Sequence, residues 1–259
     1  QCSLLPEANI GYLMKDMLRR YGRRLYLLER QPFPKASGGK PFTMSDAANQ
    51  EPPRPAWNKD RAVGQMKPFD PEEAQHVREC LEVEARKTPA RTRDLALFNL
   101  GLDAMCRASE LLSLKVEHMT DHLGRVVEEF DVLQEKTGRS KTVTLGREAR
   151  HSLQMWIDMS GKDVGDYVFT SIGPRPSEGP LSRMQYSRLV KSWAEMARLD
   201  RRRFSTHSMR RTKSSLIYKE TKNLRACQHL LGHKSIGSTA EYLGVDKREA
   251  LDLAKDIEI

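Results

Sequence analysis

Thr206-His207-Ser208-Met209-Arg210-Arg211-Thr212, then Leu230-Leu231-Gly232-His233, then Ser238-Thr239-Ala240-Glu241-Tyr242: these three short stretches hold the densest polar chemistry of the chain. His207 and Arg210 are three residues apart and share one face of a helix. Leu230-Leu231-Gly232-His233 reads as a helix end, because Gly suits the left-handed position past the last turn. Ser235 or Ser238 can cap the helix that follows, which places Tyr242 about one turn inside it. Singly, each piece is weak. An H-x-x-R is usually a surface pair, and a helical Tyr is more often core than nucleophile. In this order the set is what attack on a phosphodiester needs: a phenol to replace one ester partner, and cations to neutralise the oxygens.

The surrounding charge points the same way. The 259 residues carry 44 Lys and Arg against 35 Asp and Glu, a net charge of +9. Residues 181–225 hold 13 Arg or Lys and only 3 acids, a surplus of ten. Such a block attracts polyanions, of which nucleic acid is the commonest, with a basic solvated face as the blander alternative when charge is judged alone. Within the block, Arg183, Arg188, Lys191, Arg202, Arg203, Arg211 and Lys213 are the expected contacts to double-stranded DNA. No run approaches the roughly eighteen apolar residues of a membrane span. Gln1-Cys2-Ser3-Leu4-Leu5 is too short for a secretory leader, so a cytoplasmic protein is expected. Cys2, Cys80, Cys106 and Cys227 lie far apart with no C-x-x-C, which fits reduced thiols rather than a disulfide or zinc framework. His118-x-x-x-His122 has metal-ligand spacing, but a loop around Asp121 and Gly124 and the lack of a third ligand argue against a metal.

Further out, the first 66 residues and the rest differ in kind. Ile10, Leu13, Met17, Tyr21 and Leu25 recur at helical spacing among Lys15, Arg19, Arg20, Arg23 and Arg24, a basic amphipathic helix. Residues 32–58 are rich in Pro and Gly and read as a linker. A second domain is expected over 67–259. Asp70-Pro71-Glu72-Glu73 is a helix start, and helical patterns run over about 71–85 and 91–105. Val126 to Gln134 and Lys141 to Leu145 are β-branched and partly alternating; Lys136-Thr137-Gly138-Arg139 between them predicts a hairpin. Helical patterns resume after Arg147, broken by Gly173-Pro174-Arg175-Pro176 and Gly179-Pro180. The fold class is mainly α with one small antiparallel β-sheet.

At this point the chain resembles the tyrosine recombinases of the phage-integrase superfamily. Their signature is H-x-x-R, then L-L-G-H, then a Tyr nine residues after that His, often with a Thr three before the Tyr; Thr239 matches it. Upstream, Met105-Cys106-Arg107-Ala108-Ser109-Glu110-Leu111-Leu112 looks like the family's G-x-R-x-x-E-L box, and the hairpin turn carries Lys136 where the family has its lysine. The resemblance implies that fold over residues 67–259. It also implies an enzyme that cuts and rejoins DNA through a 3′-phosphotyrosine, with Tyr242 as nucleophile. His207 would then be its base, Arg107, Arg210 and His233 would hold the phosphate, and Lys136 would be the general acid. Lys141 is the rival for that last role, and Glu110 more plainly orients Arg107. Because the ester stores the bond energy, neither ATP nor a metal cofactor is implied.

Three departures qualify the resemblance. Met105 replaces the usual Gly, so a looser turn is expected there. Lys213 to Lys222 lacks the family's small residues and glycine, so the connection to the next box should be built differently. The family also carries an amino-terminal clamp of about a hundred residues, whereas only 66 precede this domain, and the chain opens on Gln1 rather than Met. A helix over 247–257, striped by Ala250, Leu251, Leu253 and Ala254, fits either packing in cis or exchange within a homotetramer on two DNA sites. A type IB topoisomerase and a silent DNA-binding accessory protein remain alternative readings.

Overall fold

The computed structural model describes residues 66–135, 138–172, 179–245, 251 and 255, all within the compact unit Ala62–Ile259. The basic helix and linker expected in the first 66 residues lie outside the described residues but for Met66, and so does Lys136. Of the helix expected over 247–257, Leu251 and Lys255 are described, both helical and exposed.

α1 (Pro71–Ala85) starts where the sequence places it, with Pro71 at its first position and the Asp70 N–H donating to Glu73 Oε2 at 2.9 Å. α2 (Pro89–Ala104) is capped by Thr88, whose hydroxyl accepts from the Arg91 N–H at 3.4 Å. Twelve of its 16 residues are buried, so it has no solvent face and forms the axis of the domain. α1, α5 (Arg147–Ser160) and α7 (Thr206–Thr221) pack around it. Its buried polar groups find partners: Asp94 takes Arg93 at 2.7 Å and the Trp193 indole N–H at 3.3 Å, and Asn99 donates to Ser152 at 3.1 Å.

After α2 come α3 (Ala108–Leu112) and α4 (Val116–Met119), then β1 (Glu129–Gln134) and β2 (Arg139–Thr144). The two strands pair antiparallel from Glu129↔Thr144 to Gln134↔Arg139, one hairpin as expected. Pairing begins three residues later than predicted on the first strand, because Val126 instead bridges Thr120. Phe130, Val132, Gln134, Lys141 and Val143 face inward. α6 (Arg183–Met196), a 3₁₀ turn at Arg201–Arg203, α7, α8 (Leu224–Leu231) and α9 (Ile236–Leu243) complete the order.

A chain of rings fixes where α7 begins. Phe69 stacks on Phe204 at 4.1 Å and meets Phe98 edge-on at 6.1 Å, and Phe98 meets Trp193 edge-on at 5.7 Å. Each buried ring contributes about 2–3 kcal/mol by removal from water, with about 1 kcal/mol more for the ring geometry. The Phe69 N–H also donates to Thr212 Oγ1 at 3.0 Å, so the entry to the domain is tied to the helix that carries His207 and Arg210.

Both expected departures take a definite form. Met105 is left-handed at φ +47°, so the tight turn survives without a glycine. The looser turn expected there is corrected: hydrogen bonds from a buried lysine hold it, as described below. At the end of α7, Lys222 takes the left-handed position at φ +52°, and Asn223 Oδ1 caps α8 by accepting from Ala226 N–H at 2.9 Å. A lysine and an asparagine thus perform the helix-to-helix turn that glycine makes more cheaply.

Candidate active site

Three helix ends and one helix interior bring the signature residues together. Arg107 sits at the start of α3, His207 and Arg210 in the first two turns of α7, His233 just past α8, and Tyr242 in the last turn of α9. Gly232 ends α8 at φ +64°, and a Cβ there would fall 2.5 Å from the Gln134 side chain. Glycine is therefore required by both its conformation and its space, and it aims His233 back at α7. Ser235, rather than Ser238, caps α9 by accepting from the Ser238 N–H at 3.1 Å.

Glu110 is the hub. Its side chain is 1% exposed; Oε1 accepts from Arg107 Nη1 at 2.6 Å, Oε2 accepts from the Arg107 N–H at 2.8 Å, and Oε2 lies 3.6 Å from Arg210 Nη1. One carboxylate thus offsets two guanidiniums that would otherwise repel. Arg210 donates from Nη2 to the Leu231 carbonyl at 2.7 Å, while its buried Nη1 has no hydrogen-bond partner. The same Nη2 lies 3.5 Å from His233 Nε2. A guanidinium can only donate, so Nε2 presents its lone pair and Nδ1 carries the proton towards Thr239 Oγ1, 3.1 Å away. Thr239 in turn donates to the Ser235 carbonyl at 3.3 Å, which locks the ring.

Tyr242 closes the group. Its ring meets the His233 imidazole edge-on at 5.3 Å, and the Arg211 guanidinium lies over its face at 5.2 Å. Its hydroxyl is buried without a hydrogen-bond partner. Burial raises the phenol pKa above its ordinary value, while Arg210 and Arg211 pull it down in part. Burial and then Arg210, Arg107 and Lys141 push the His233 pKa down to about 4, so the imidazole is neutral near pH 7. His207 is exposed overall, yet the packing about its ring and then Arg210, Arg107 and Arg211 lower its pKa too. It lines an open cleft of about 530 Å³ with Arg107, Arg183 and Arg210, and makes no hydrogen bond or ring contact with Tyr242.

Other expected residues are more scattered. Arg183, Arg188 and Lys191 are exposed on α6. Arg202 pairs with Asp200 at 3.1 Å, and Arg203 with Glu73 at 3.4 Å. Arg211, expected on the exposed basic face, is instead buried and donates to the Met66 carbonyl at 3.1 Å. Lys213 is half-buried and holds Asp103 at 2.7 Å. Lys141 is buried, with all three donors on main-chain carbonyls: Ala104 at 2.8 Å, Met105 at 3.2 Å and Leu230 at 2.8 Å. Its ammonium is thus held by the main chain, and burial lowers its pKa. Its inward place, two before the apolar Val143, was readable from strand alternation. The position of Arg211 over Tyr242 had no signal in the sequence. His118 Nδ1 accepts from the Lys115 N–H at 3.0 Å, and no group of three metal-ligating side chains occurs among the described residues.

The fold is shared with solved recombinases. The chain superposes on the XerH site-specific recombinase in its post-cleavage complex with palindromic difH at a TM-score of 0.59 with 20% identity, covering 74% of this chain and 53% of that one. It superposes on the Tn1549 transposon integrase at a TM-score of 0.56 with 16% identity, covering 83% and 70%. The fold is thus that of a tyrosine recombinase catalytic domain. The phage integrase family profile matches residues 70–249, and the chain belongs to that family. It is 29% identical over 159 residues to the probable integrase/recombinase YoeC of Bacillus subtilis (strain 168), covering 60% of this chain and 79% of that protein. It is 30% identical over 166 residues to tyrosine recombinase XerD of Xanthomonas axonopodis pv. citri (strain 306), covering 60% of this chain. The chain spans about half the length of such Xer relatives, 52% in that instance.

Proposed function

We propose that this protein is a site-specific DNA recombinase that cleaves and rejoins strands through a 3′-phosphotyrosine at Tyr242. The observation that carries the reading is the convergence of buried cations on Tyr242: Arg210, whose Nη1 has no hydrogen-bond partner, and Arg211 both pull down the pKa of a buried hydroxyl that also lacks one. A phosphodiester would supply the hydrogen-bond acceptor that Arg210 Nη1 lacks beside its ion pair with Glu110, and present its phosphorus to the phenol.

In this mechanism Arg107 and Arg210 hold the two non-bridging oxygens, already brought together by Glu110. His207, whose pKa is lowered by burial and then by the same cations, takes the phenolic proton as Tyr242 attacks. The Tyr–O–P bond forms, the P–O5′ bond breaks, and the 5′-oxygen leaves with a proton from Lys136. On phosphate binding His233 takes its other neutral tautomer, with Nδ1 accepting from the Thr239 hydroxyl and the Nε2 N–H donating to the phosphoryl oxygen on which charge develops. The 5′-hydroxyl of a second strand then reverses the steps. No metal or nucleotide enters, because bond order at phosphorus is conserved throughout.

Residues 67–259 act as the catalytic domain. The exposed Arg183, Arg188 and Lys191 of α6, next to the cleft, grip duplex DNA, with Arg202, Arg203 and Lys213 able to exchange their acidic partners for phosphates. The helix over 247–257 would couple subunits in a homotetramer on two sites. A basic cytoplasmic protein of this kind would associate with the nucleoid.

The test is incubation of wild type and Tyr242→Phe with supercoiled plasmid, a detergent quench, and assay for nicking, relaxation and protein linked to DNA. An adduct with wild type alone is expected. Duplex binding by both without any adduct would favour an accessory DNA-binding role instead.

A further inference from the structure

Lys141 stands apart from the chemistry above, yet its ammonium reaches two of the segments that present it. The described part of the hairpin offers no carboxylate within ion-pairing range of its ammonium, and the side chain is 7% exposed on the inward face of β2. An apolar side chain would fill that space at no electrostatic cost. What the lysine adds is three hydrogen bonds, and their acceptors are not arbitrary. Ala104 O is the last carbonyl of α2, Met105 O belongs to the left-handed turn that follows, and Leu230 O lies in the last turn of α8. The final carbonyls of a helix have no partner within the helix and carry its negative dipole end. One ammonium therefore caps two helices at once.

Each capped end leads straight into a phosphate-holding residue. Three residues after Ala104 comes Arg107, and two after Leu231 comes His233. Arg210 adds a second tie at the same place, donating to the Leu231 carbonyl at 2.7 Å. The turn at Met105 is one that a side-chain-bearing residue enters only at some cost, so it needs an outside hold. We propose that Lys141 is a positioning residue for strand cleavage, clamping the ends of α2 and α8 so that Arg107 and His233 meet one phosphate. The inference rests on the reading of Arg107 and His233 as phosphate ligands. It assigns to Lys141 a role through those two residues rather than as the acid itself.

The experiment compares the full 259-residue chain with Lys141→Met and Lys141→Arg. Three properties are read: thermal unfolding, backbone amide NMR signals, and phosphotyrosine formation on supercoiled plasmid at saturating protein. For Lys141→Met the amide signals of Met105 to Arg107 and of Gly232 and His233 should move together. The Trp193 indole signal, remote in the aromatic core, should stay in place. Adduct formation should fall on the order of 10–100-fold while duplex affinity stays within about twofold, as a misplaced group demands. Lys141→Arg, which keeps the charge and some donors, should recover part of both the signals and the rate. Should Lys141→Met not fold, Lys141→Arg alone carries the comparison through the same signals.

Unmoved amide signals at both segments in a folded variant would overturn the proposal. So would a loss of adduct that follows duplex affinity or the unfolded fraction, since that marks a general structural role. If wild type itself forms no adduct, the recombinase reading fails, while the amide signals still decide whether Lys141 clamps the two helix ends.

Discussion

The guanidinium of Arg211 lies 5.2 Å over the ring of Tyr242, so the residue after Arg210 covers the tyrosine proposed as nucleophile. Cation and phenol are both largely withdrawn from water, and the cation favours the phenolate. In Arg211→Met the burial that raises the phenol pKa would act with less opposition. The rising limb of adduct formation against pH should move upward, and the rate near neutrality should drop by ~10-fold for each unit of displacement. A pH–rate profile of adduct yield checks this; an unmoved limb would mean that Arg211 only packs.

Glu110 offsets both Arg107 and Arg210 from a site that is 1% exposed. Glu110→Gln keeps the shape but leaves two guanidiniums facing each other, one of them buried. Stability should fall by about 3 kcal/mol, at the low end for a broken buried pair because Arg107 is partly solvated. Urea unfolding midpoints measure it. Adduct formation should fall as well, since the two arginines would separate.

Gly232→Ala meets two obstacles, a left-handed φ of +64° and a Cβ contact of 2.5 Å with Gln134. The conformation alone costs roughly 1–2 kcal/mol, and the contact forces α8 and β1 apart. The expected result is a lower unfolding midpoint with a steeper loss of adduct, because His233 is the next residue. Equal stability of the alanine variant would contradict the fit described.

His233 is pushed from its ordinary 6.5 down to about 4, so the folded protein binds fewer protons than the unfolded chain between those values. Stability from this group is fully present above 6.5 and is lost as the pH falls towards 4. His207 acts in the same direction. Melting temperature should therefore drop across that window, and His233→Gln should flatten part of the slope. An identical slope in the variant would remove His233 as its source.

Much of this architecture is legible in one dimension. Asp70-Pro71 marks the start of α1, Gly138 the hairpin, Gly232 the end of α8 and Ser235 the start of α9, each through a backbone preference that acts within a few residues. The chemical inventory is equally local: H-x-x-R, L-L-G-H and the Tyr nine residues later are spacings within helices and turns, and they carry the family.

Tertiary structure decided what each charge does. Arg210 and Arg211 are neighbours in sequence, but a helix turns them about 100° apart. One therefore faces Glu110 and Leu231, while the other reaches Met66 and Tyr242, more than thirty residues away at the nearest. Lys141 and Lys191 look alike as letters; one is sealed between two helix ends and the other is exposed on α6. Met105 takes glycine's left-handed place with that buried ammonium bonded to its carbonyl. Local propensity sets where elements begin and end, since it depends on a residue and its near neighbours. Whether a cation is spent on a carbonyl, a carboxylate or a phosphate depends on which distant segment packs over it, and that is a property of the folded chain.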